Sequence, residues 1–566
     1  MPDSNCLEAI LSNDYYDFLI APEYFQQYAY EAGYCTQPIG RIAGAVYIPR
    51  EVYPIISMQN TLYSSIPKLY GIAEGTISDQ IRSIPQQQED IMGLTGQGIL
   101  IGFIGTGIHY ESDYFRTSDG RTRILGIWDQ TIQEGTPPAN IQYGTEYTEE
   151  MINQALQSDD PSSIVPSTDT HGHGTYMASA AAASESPSGD FRGVAPAASI
   201  GVVKLKEAKP YLKEYYAIKR DAIAYQENDI MLAIRYLFEL ANNQKMPLVL
   251  CFGIGTNIGN HNTGSFLSNY IDEISVGNHC AVFGTGNEAD RRHHFSGNFN
   301  LDPEQEYIDV EVRVENNPTG FWMELWGTAP DIYTLEVLSP TGETMQRVPY
   351  RIGTGADYNF VFEKSTLSFA YQVIGNNIGN PAIIMRLTNP SNGIWTFRIY
   401  GTNLTYGQFH VWLPLSEFIE GSTYFLASNP EMTLTEPSTS IRSIAVSAYD
   451  SGNNSILLES GRGFTFTGLI KPYFAAPGVA VPGIDLDNTL IRRTGTSGSS
   501  ALTAGACALL FEWGLVQGND MTMGVIRLST ILIRGADRNY NRVYPNREWG
   551  YGTLNLSNTF NNLRPI

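Results

Sequence analysis

The sequence predicts an α/β fold: a parallel sheet flanked by helices, with an inserted antiparallel β domain and a small α+β segment ahead of it. Three observations predict it. Apolar runs ending in glycine recur at GILIGFIG (98–105), SIGVVKL (199–205), PLVLCFGIG (247–255) and CAVFGTGN (280–287), as expected of strands buried on both faces. Between two of them, ENDIMLAIRYLFELANNQ (227–244) sets Ile230, Leu232, Ile234, Leu237, Phe238 and Leu240 at mostly helical spacing, so strand–helix–strand units repeat. From about 293 to 425 the texture changes to short alternating runs between Gly, Pro and Asn turns, as in a sandwich or jelly roll.

Taken in order, residues 1–64 are aromatic-rich. YYDFLIA (15–21) predicts a strand, PEYFQQYAYEAG (22–33) a short helix stopped by Gly33, and AGAVYIP (43–49) a strand closed by Pro49. SSIPKLYG (64–71) and SIPQQQED (83–90) read as a connection. Residues 65–292 hold the first part of the α/β domain. In the insertion, 293–425, strands are expected at 307–315, 321–327, 333–339, 382–388, 395–401 and 409–414, with Trp322, Trp326, Trp395 and Trp412 packed in the core. The α/β domain resumes over 426–566 with SIAVSAY (443–449), KPYFAAPGV (471–479) and a helix at ALTAGACALLFEWGL (501–515).

Composition narrows the function. Of 566 residues, 35 are Lys or Arg and 58 are Asp or Glu, a net charge of −23 that repels phosphate backbones and anionic membrane surfaces and excludes nucleic-acid binding. Five cysteines (Cys6, Cys35, Cys251, Cys280, Cys507), odd in number and without CxxC, argue against a disulfide framework and a structural zinc site. His171 with His173, and His293 with His294, lack convergent Cys or carboxylate spacing, so no metal and no cofactor is expected. The N-terminus lacks the basic and apolar regions of a signal peptide, and no membrane span is expected. A soluble protein of a reducing compartment is the expectation.

Three segments carry chemistry. In DTHGHGTYMASAAAAS (169–184), His173 sits between glycines ahead of an Ala-rich helix, where backbone and substrate can approach the imidazole closely. RTGTSGSSALTAGACALL (493–510) puts Ser497 where a helix begins, beside free N–H groups suited to an oxyanion. CAVFGTGNEAD (280–290) leads through Gly284 and Gly286 to Asn287, whose amide can donate to the same oxyanion. Singly these are a loop, an N-cap and a turn; their joint order carries the signal. GTSGS (495–499) is not a GxSxG elbow, and His precedes Ser here.

That joint pattern resembles the subtilisin-like serine proteases. GHGTYMAS (172–179) matches their His motif with Tyr176 in place of a second His, GTSGSSALTAG (495–505) their Ser motif, and GTGNE (284–288) their oxyanion segment. The match is closer to the clostridial Csp-type proteases, a group linked to spore germination. RILGIWDQTI (123–132), AYQENDIMLAIRYL (224–237), RGFTFTGLIKPYFAAPGV (462–479), EWGYGTLNLSNTF (548–560) and the β-rich block between Asn287 and Ser497 resemble that group. The resemblance implies Ser497 as nucleophile, His173 as general base and then acid, and Asn287 as oxyanion donor. FGIGTN (252–257) would line the substrate pocket, with Gly253, Ile254 and Gly255 pairing with a protein or peptide substrate as an added strand. Residues 1–64 would be the chain's own prosegment, released near Tyr63-Ser64-Ser65. A cytoplasmic or spore-associated location is expected.

One position departs. The family's triad Asp ends a strand in Asp-Thr-Gly, and here the strand reads GILIGFIGTGIHY (98–110) with Gly105 at that position. In subtilisin, the source of this magnitude, losing the Asp costs on the order of 10⁴-fold in kcat, roughly 5–6 kcal/mol. About 10³–10⁴-fold over water survives through the oxyanion hole and binding. Asp169, Glu111 and Asp113 are the nearby carboxylates; Asp169 stands where active members often have an Asp, and the other two read as solvated loop residues. Two readings stay open: a weakened endopeptidase, or a pseudoprotease that binds or signals through the same cleft.

Overall fold

The computed structural model describes residues 6–563 except 26, 29–32, 79–90, 187–188, 190, 301–304 and 376–378. Its centre is a nine-stranded sheet in which Ser443–Asp450, His279–Gly284, Leu248–Phe252, Leu100–Gly105, Ser199–Lys204 and Ile124–Asp129 lie side by side in that order. These neighbours pair in parallel, and Thr145–Thr148 and Ser455–Ile456 close the edges antiparallel. The apolar runs are apolar throughout because both faces are covered. Ile101, Phe103, Val249, Cys251, Val282 and Val446 face a cluster with Ala178, Ala181, Leu502 and Ala506 of the helices His173–Ala182 and Thr496–Phe511. The alternate residues Leu100, Ile104, Leu250, Phe252 and Phe283 meet Ile230, Ile234 and Leu237 of Glu227–Gln244 on the other side.

The C-terminal core helix begins at Thr496 rather than at 501, and its small residues let it cross the sheet fully buried. Thr496–Val516 is long and apolar enough to cross a bilayer, but 83% of its apolar window is buried inside the domain, as in a soluble core helix. Residues 294–425 form a six-stranded and a five-stranded antiparallel sheet, packed around Val312, Leu325, Leu335, Trp395, Phe397 and Val411. Besides the expected strands, this sandwich has Gly355–Phe360 and Ser365–Ile374; the first is largely exposed and carries no clear apolar alternation.

The N-terminal unit is a three-stranded antiparallel sheet, ordered Tyr15–Ile20, Ala43–Pro49, Cys35–Ile39, with the helix Cys6–Leu11 against it. Of the helix expected over 22–33, the short turn Pro22–Tyr24 is described and much of the rest lies outside the described residues, as does 83–90. The expectation of no disulfide is corrected here: Cys6 and Cys35 are bonded, with Cα atoms 5.4 Å apart. Helix and strand of one small unit bring together residues that spacing alone does not connect. Cys251, Cys280 and Cys507 are free and buried.

Two buried polar seams join these parts. Asp17 accepts from Lys209 Nζ at 2.6 Å and Gln226 Nε2 at 2.7 Å, tying the N-terminal sheet to the α/β domain. Where the sandwich meets that domain, His261 and His294 stack on Trp412 with centroids 4.1 and 4.9 Å away, and His294 Nε2 lies 3.0 Å from His410 Nδ1. Burial holds His261 and His410 at about 4, and does the same to His279 at the start of its sheet strand.

These histidines predict acid sensitivity. Their folded pKa values lie below the unfolded value of about 6.5, so unfolding takes up protons; stability is full above that pH and falls towards pH 4. Urea unfolding followed by tryptophan fluorescence should lose on the order of 1–3 kcal/mol per histidine over this range, starting between pH 7 and 5.5, above the carboxylate range. A midpoint flat across pH 7 to 5.5 would contradict the buried neutral imidazoles.

Candidate active site

The helix His173–Ala182 begins against the end of the Leu100–Gly105 strand. Gly174 N donates to Thr106 Oγ at 2.8 Å, and a Cβ on Gly174 would run into Gly107 O, so only glycine allows this approach. Asp169 organises the loop before the helix. Its Oδ1 accepts from the N–H groups of His171 and Gly172, and its Oδ2 from Thr175 N and Oγ, all at 2.8–3.0 Å. Burial pushes this carboxyl up, but those donors outweigh it and hold it below the usual range. Asp169 is thus spent on the loop and not on the imidazole. Asp113 pairs with Arg116, and His173 Nε2 has no hydrogen-bond partner.

At Gly105 itself the backbone is not left-handed, and a Cβ there would meet nothing within 4 Å. The place where the sequence analysis expects a triad carboxylate is open space. His173 is 2% exposed, and its imidazole is pulled down to about 3, by burial first, then by Arg493 and His171. Ring atoms Cε1 and Nδ1 pack so closely on Gly253 that any side chain there would strike them or Met177 Sδ. His173 Nε2 and Ser497 Oγ are each buried without a hydrogen-bond partner. Ser497 sits in the first turn of its helix, and Asn287 Oδ1 accepts from Thr496 N at 3.0 Å, which fixes the amide's orientation.

A strand of the chain itself runs through this site. Leu69–Ile72 lies between Tyr225–Gln226 and Ile254–Gly255, pairing antiparallel with both. Gly71 is opposite Gly255, Ile72 opposite Ile254, and Ala73 N donates to Gly253 O at 2.8 Å. Asn287 Nδ2 donates to Glu74 O at 3.2 Å. Beyond it, Thr76–Ile77 pairs with Thr494 and Arg493, and Ser78 N donates to Arg492 O. The peptide groups of Ala73-Glu74-Gly75 therefore lie beside Asn287, His173 and the Ser497 turn. Tyr63–Ser65, where release was expected, lies outside the cleft: Tyr63 is buried, donating to Glu324 and edge-on to Trp326.

Sequence reasoning missed three contributors. Arg493 and His171 flank Glu74 at 2.6 and 3.6 Å. Glu288, next to Asn287, accepts from Ser416 N and Oγ, and its other oxygen is 2.8 Å from His293 Nδ1. Leu415, Ser416 and Glu417 of the insertion help line a pocket of about 60 Å³ shared with Ala73, Gly286 and Asn287. Arg493 and His171 stood inside the quoted motifs, but nothing in spacing pairs them with residue 74. Glu288 meets a residue more than a hundred positions away.

A family model described as the subtilase family matches residues 96–310 and 424–552, leaving out most of the sandwich. Among solved structures, that of the Clostridium perfringens CspB protease is 30% identical, covers 83% of this chain and 94% of that one, and superposes with a TM-score of 0.74. A serine-to-alanine mutant of the protease domain of PatA is 12% identical, with coverages of 84% and 98% and a TM-score of 0.40. A comparison with curated proteins finds no match.

Gly105→Asp should fold as the unmodified chain does, with a thermal midpoint within about 2 °C, since the added atoms enter open space. A carboxylate that reaches the ring should raise the His173 pKa by one unit or more, on the order of 1.4 kcal/mol, read from imidazole NMR shifts against pH. No change in that pKa would mean that position 105 does not reach the ring.

Proposed function

The chain belongs to the subtilase family, and from that premise we propose that it is a Csp-type serine endopeptidase with activity held down by the missing triad acid and by its own N-terminal segment in the cleft. Residues 1 to about 74 act as the prosegment in this reading. Ser497 Oγ attacks a carbonyl carbon in the Ala73-Glu74-Gly75 stretch, and its proton passes to His173 Nε2. The oxyanion takes hydrogen bonds from Asn287 Nδ2 and from the N–H groups at the start of the Ser497 helix. The C–N bond then breaks, and the new amine takes the proton from the imidazolium. Water, deprotonated by the same imidazole, releases the acyl group and regenerates Ser497 Oγ–H.

The weak link is the imidazolium. A base held at about 3 instead of 6.5 forms it at an extra cost of about 5 kcal/mol. That is the same order as the roughly 5–6 kcal/mol lost with the triad Asp in subtilisin. The single observation that carries the proposal is the strand Leu69–Ile72, paired on both sides, with Asn287 donating to Glu74 O just beyond it. It is how a substrate lies in a protease cleft, and a protein that only bound partners there would first have to remove it.

Intact mass tests this. The Gly105→Asp chain should separate, within Ala73-Glu74-Gly75, into two pieces that can stay associated, and the Gly105→Asp, Ser497→Ala chain should stay whole. The unmodified chain should be cut on the order of 10³–10⁴-fold more slowly than the Gly105→Asp chain. An uncut Gly105→Asp chain with native stability would overturn the endopeptidase reading and leave the pseudoprotease.

A further inference from the structure

The strand in the cleft brings one formal charge to the centre of the site, and the site meets it with a guanidinium and an imidazole. Glu74 Oε1 is 2.6 Å from Arg493 Nη1, and Glu74 Oε2 is 3.6 Å from His171 Nε2. Arg493 lies in the strand that leads into the Ser497 helix, and His171 in the loop that presents His173, so both halves of the catalytic pair contribute. The Arg493 side chain is only 6% exposed, its Nε has no hydrogen-bond partner, and its guanidinium lies 5.5 Å over the ring of Tyr176. A guanidinium buried this far needs an anion to offset its lost hydration. Among the described residues its one ion pair is with Glu74. Arg493 serves no step of the reaction above.

Glu288, Glu417 and Arg291 line the small pocket beside Asn287 together with Glu74. Glu417 is pushed up to about 8 by burial first and then by Glu288 and Glu74, so it is mostly protonated at neutral pH and leaves Arg493 as the partner of the Glu74 carboxylate.

We propose that Arg493, assisted by His171, is a specificity-determining residue, and that this cleft favours a polypeptide with a carboxylate at the position of Glu74. The substrate class is then an extended peptide with an acidic residue beside the bond to be cut. The inference rests on the cleft being a substrate site and does not require turnover by the unmodified chain.

Two measurements on the full-length protein test it. In the Gly105→Asp background, the rate of the mass change should fall about fivefold with Glu74→Gln or Arg493→Gln, as for a half-exposed ion pair. Reversing the pair with Glu74→Arg and Arg493→Glu together should restore most of the rate, which a merely structural arginine would not allow. In the unmodified chain, hydrogen exchange at the amides of Ala73 and Ser78 should speed up about fivefold with Glu74→Gln. Glu74 is partly exposed, so that substitution leaves the fold intact even if Arg493→Gln does not. Unchanged exchange with Glu74→Gln overturns the proposal, as does an unchanged rate of cutting. If the Gly105→Asp chain is not cut at all, the endopeptidase reading fails, and the exchange measurement still decides the subsite.

Discussion

The site depends on one main-chain arrangement: Leu69–Ile72 inserted as the middle strand between Tyr225–Gln226 and Ile254–Gly255. Strand addition uses backbone groups that any sequence offers, so it supplies affinity, while the side chains at its end supply selection. The segment is also tethered at both ends. Upstream, the N-terminal sheet is locked by Asp17 to Lys209 and Gln226; downstream, Ser78 and Ile77 pair with the strand that leads to Ser497. An intramolecular strand binds at high effective concentration and pays little further ordering entropy, so a free peptide competes poorly with it.

Around that strand lie the residues we propose as catalytic. Asp169 shapes the His173 loop, Asn287 is oriented by Thr496, and Gly253 admits the imidazole. What is missing is a carboxylate over the open space at Gly105. Without it the buried imidazole stays neutral, and Arg493 adds to the penalty for charging it. His173 Nε2 and Ser497 Oγ are both buried without a hydrogen-bond partner.

The insertion is part of the cleft as well as an appendage to it. Ser416 and His293 hold Glu288, and Glu288 follows Asn287 directly in the chain. The sandwich thereby sets one wall of the pocket beside Ala73. Its joint with the α/β domain is a stack of neutral histidines on Trp412, a packing that holds while those rings stay uncharged.

Local pattern determined the sheet strands and the helix 227–244, because each of these needs residue types that neighbours in the chain reveal. It also marked His173, Asn287, Ser497 and Gly105, and the fold places these around one cleft. The Cys6–Cys35 bond, the strand 69–72 in the cleft, and the meeting of Glu74 with Arg493 were decided only by tertiary structure. Each joins groups that spacing does not relate. LYGI (69–72) has no alternation of its own to mark it as a strand, and it becomes one because two separated stretches of the domain leave a backbone-lined slot for it. A short strand paired on both sides owes its conformation to its neighbours, and those are set by the fold.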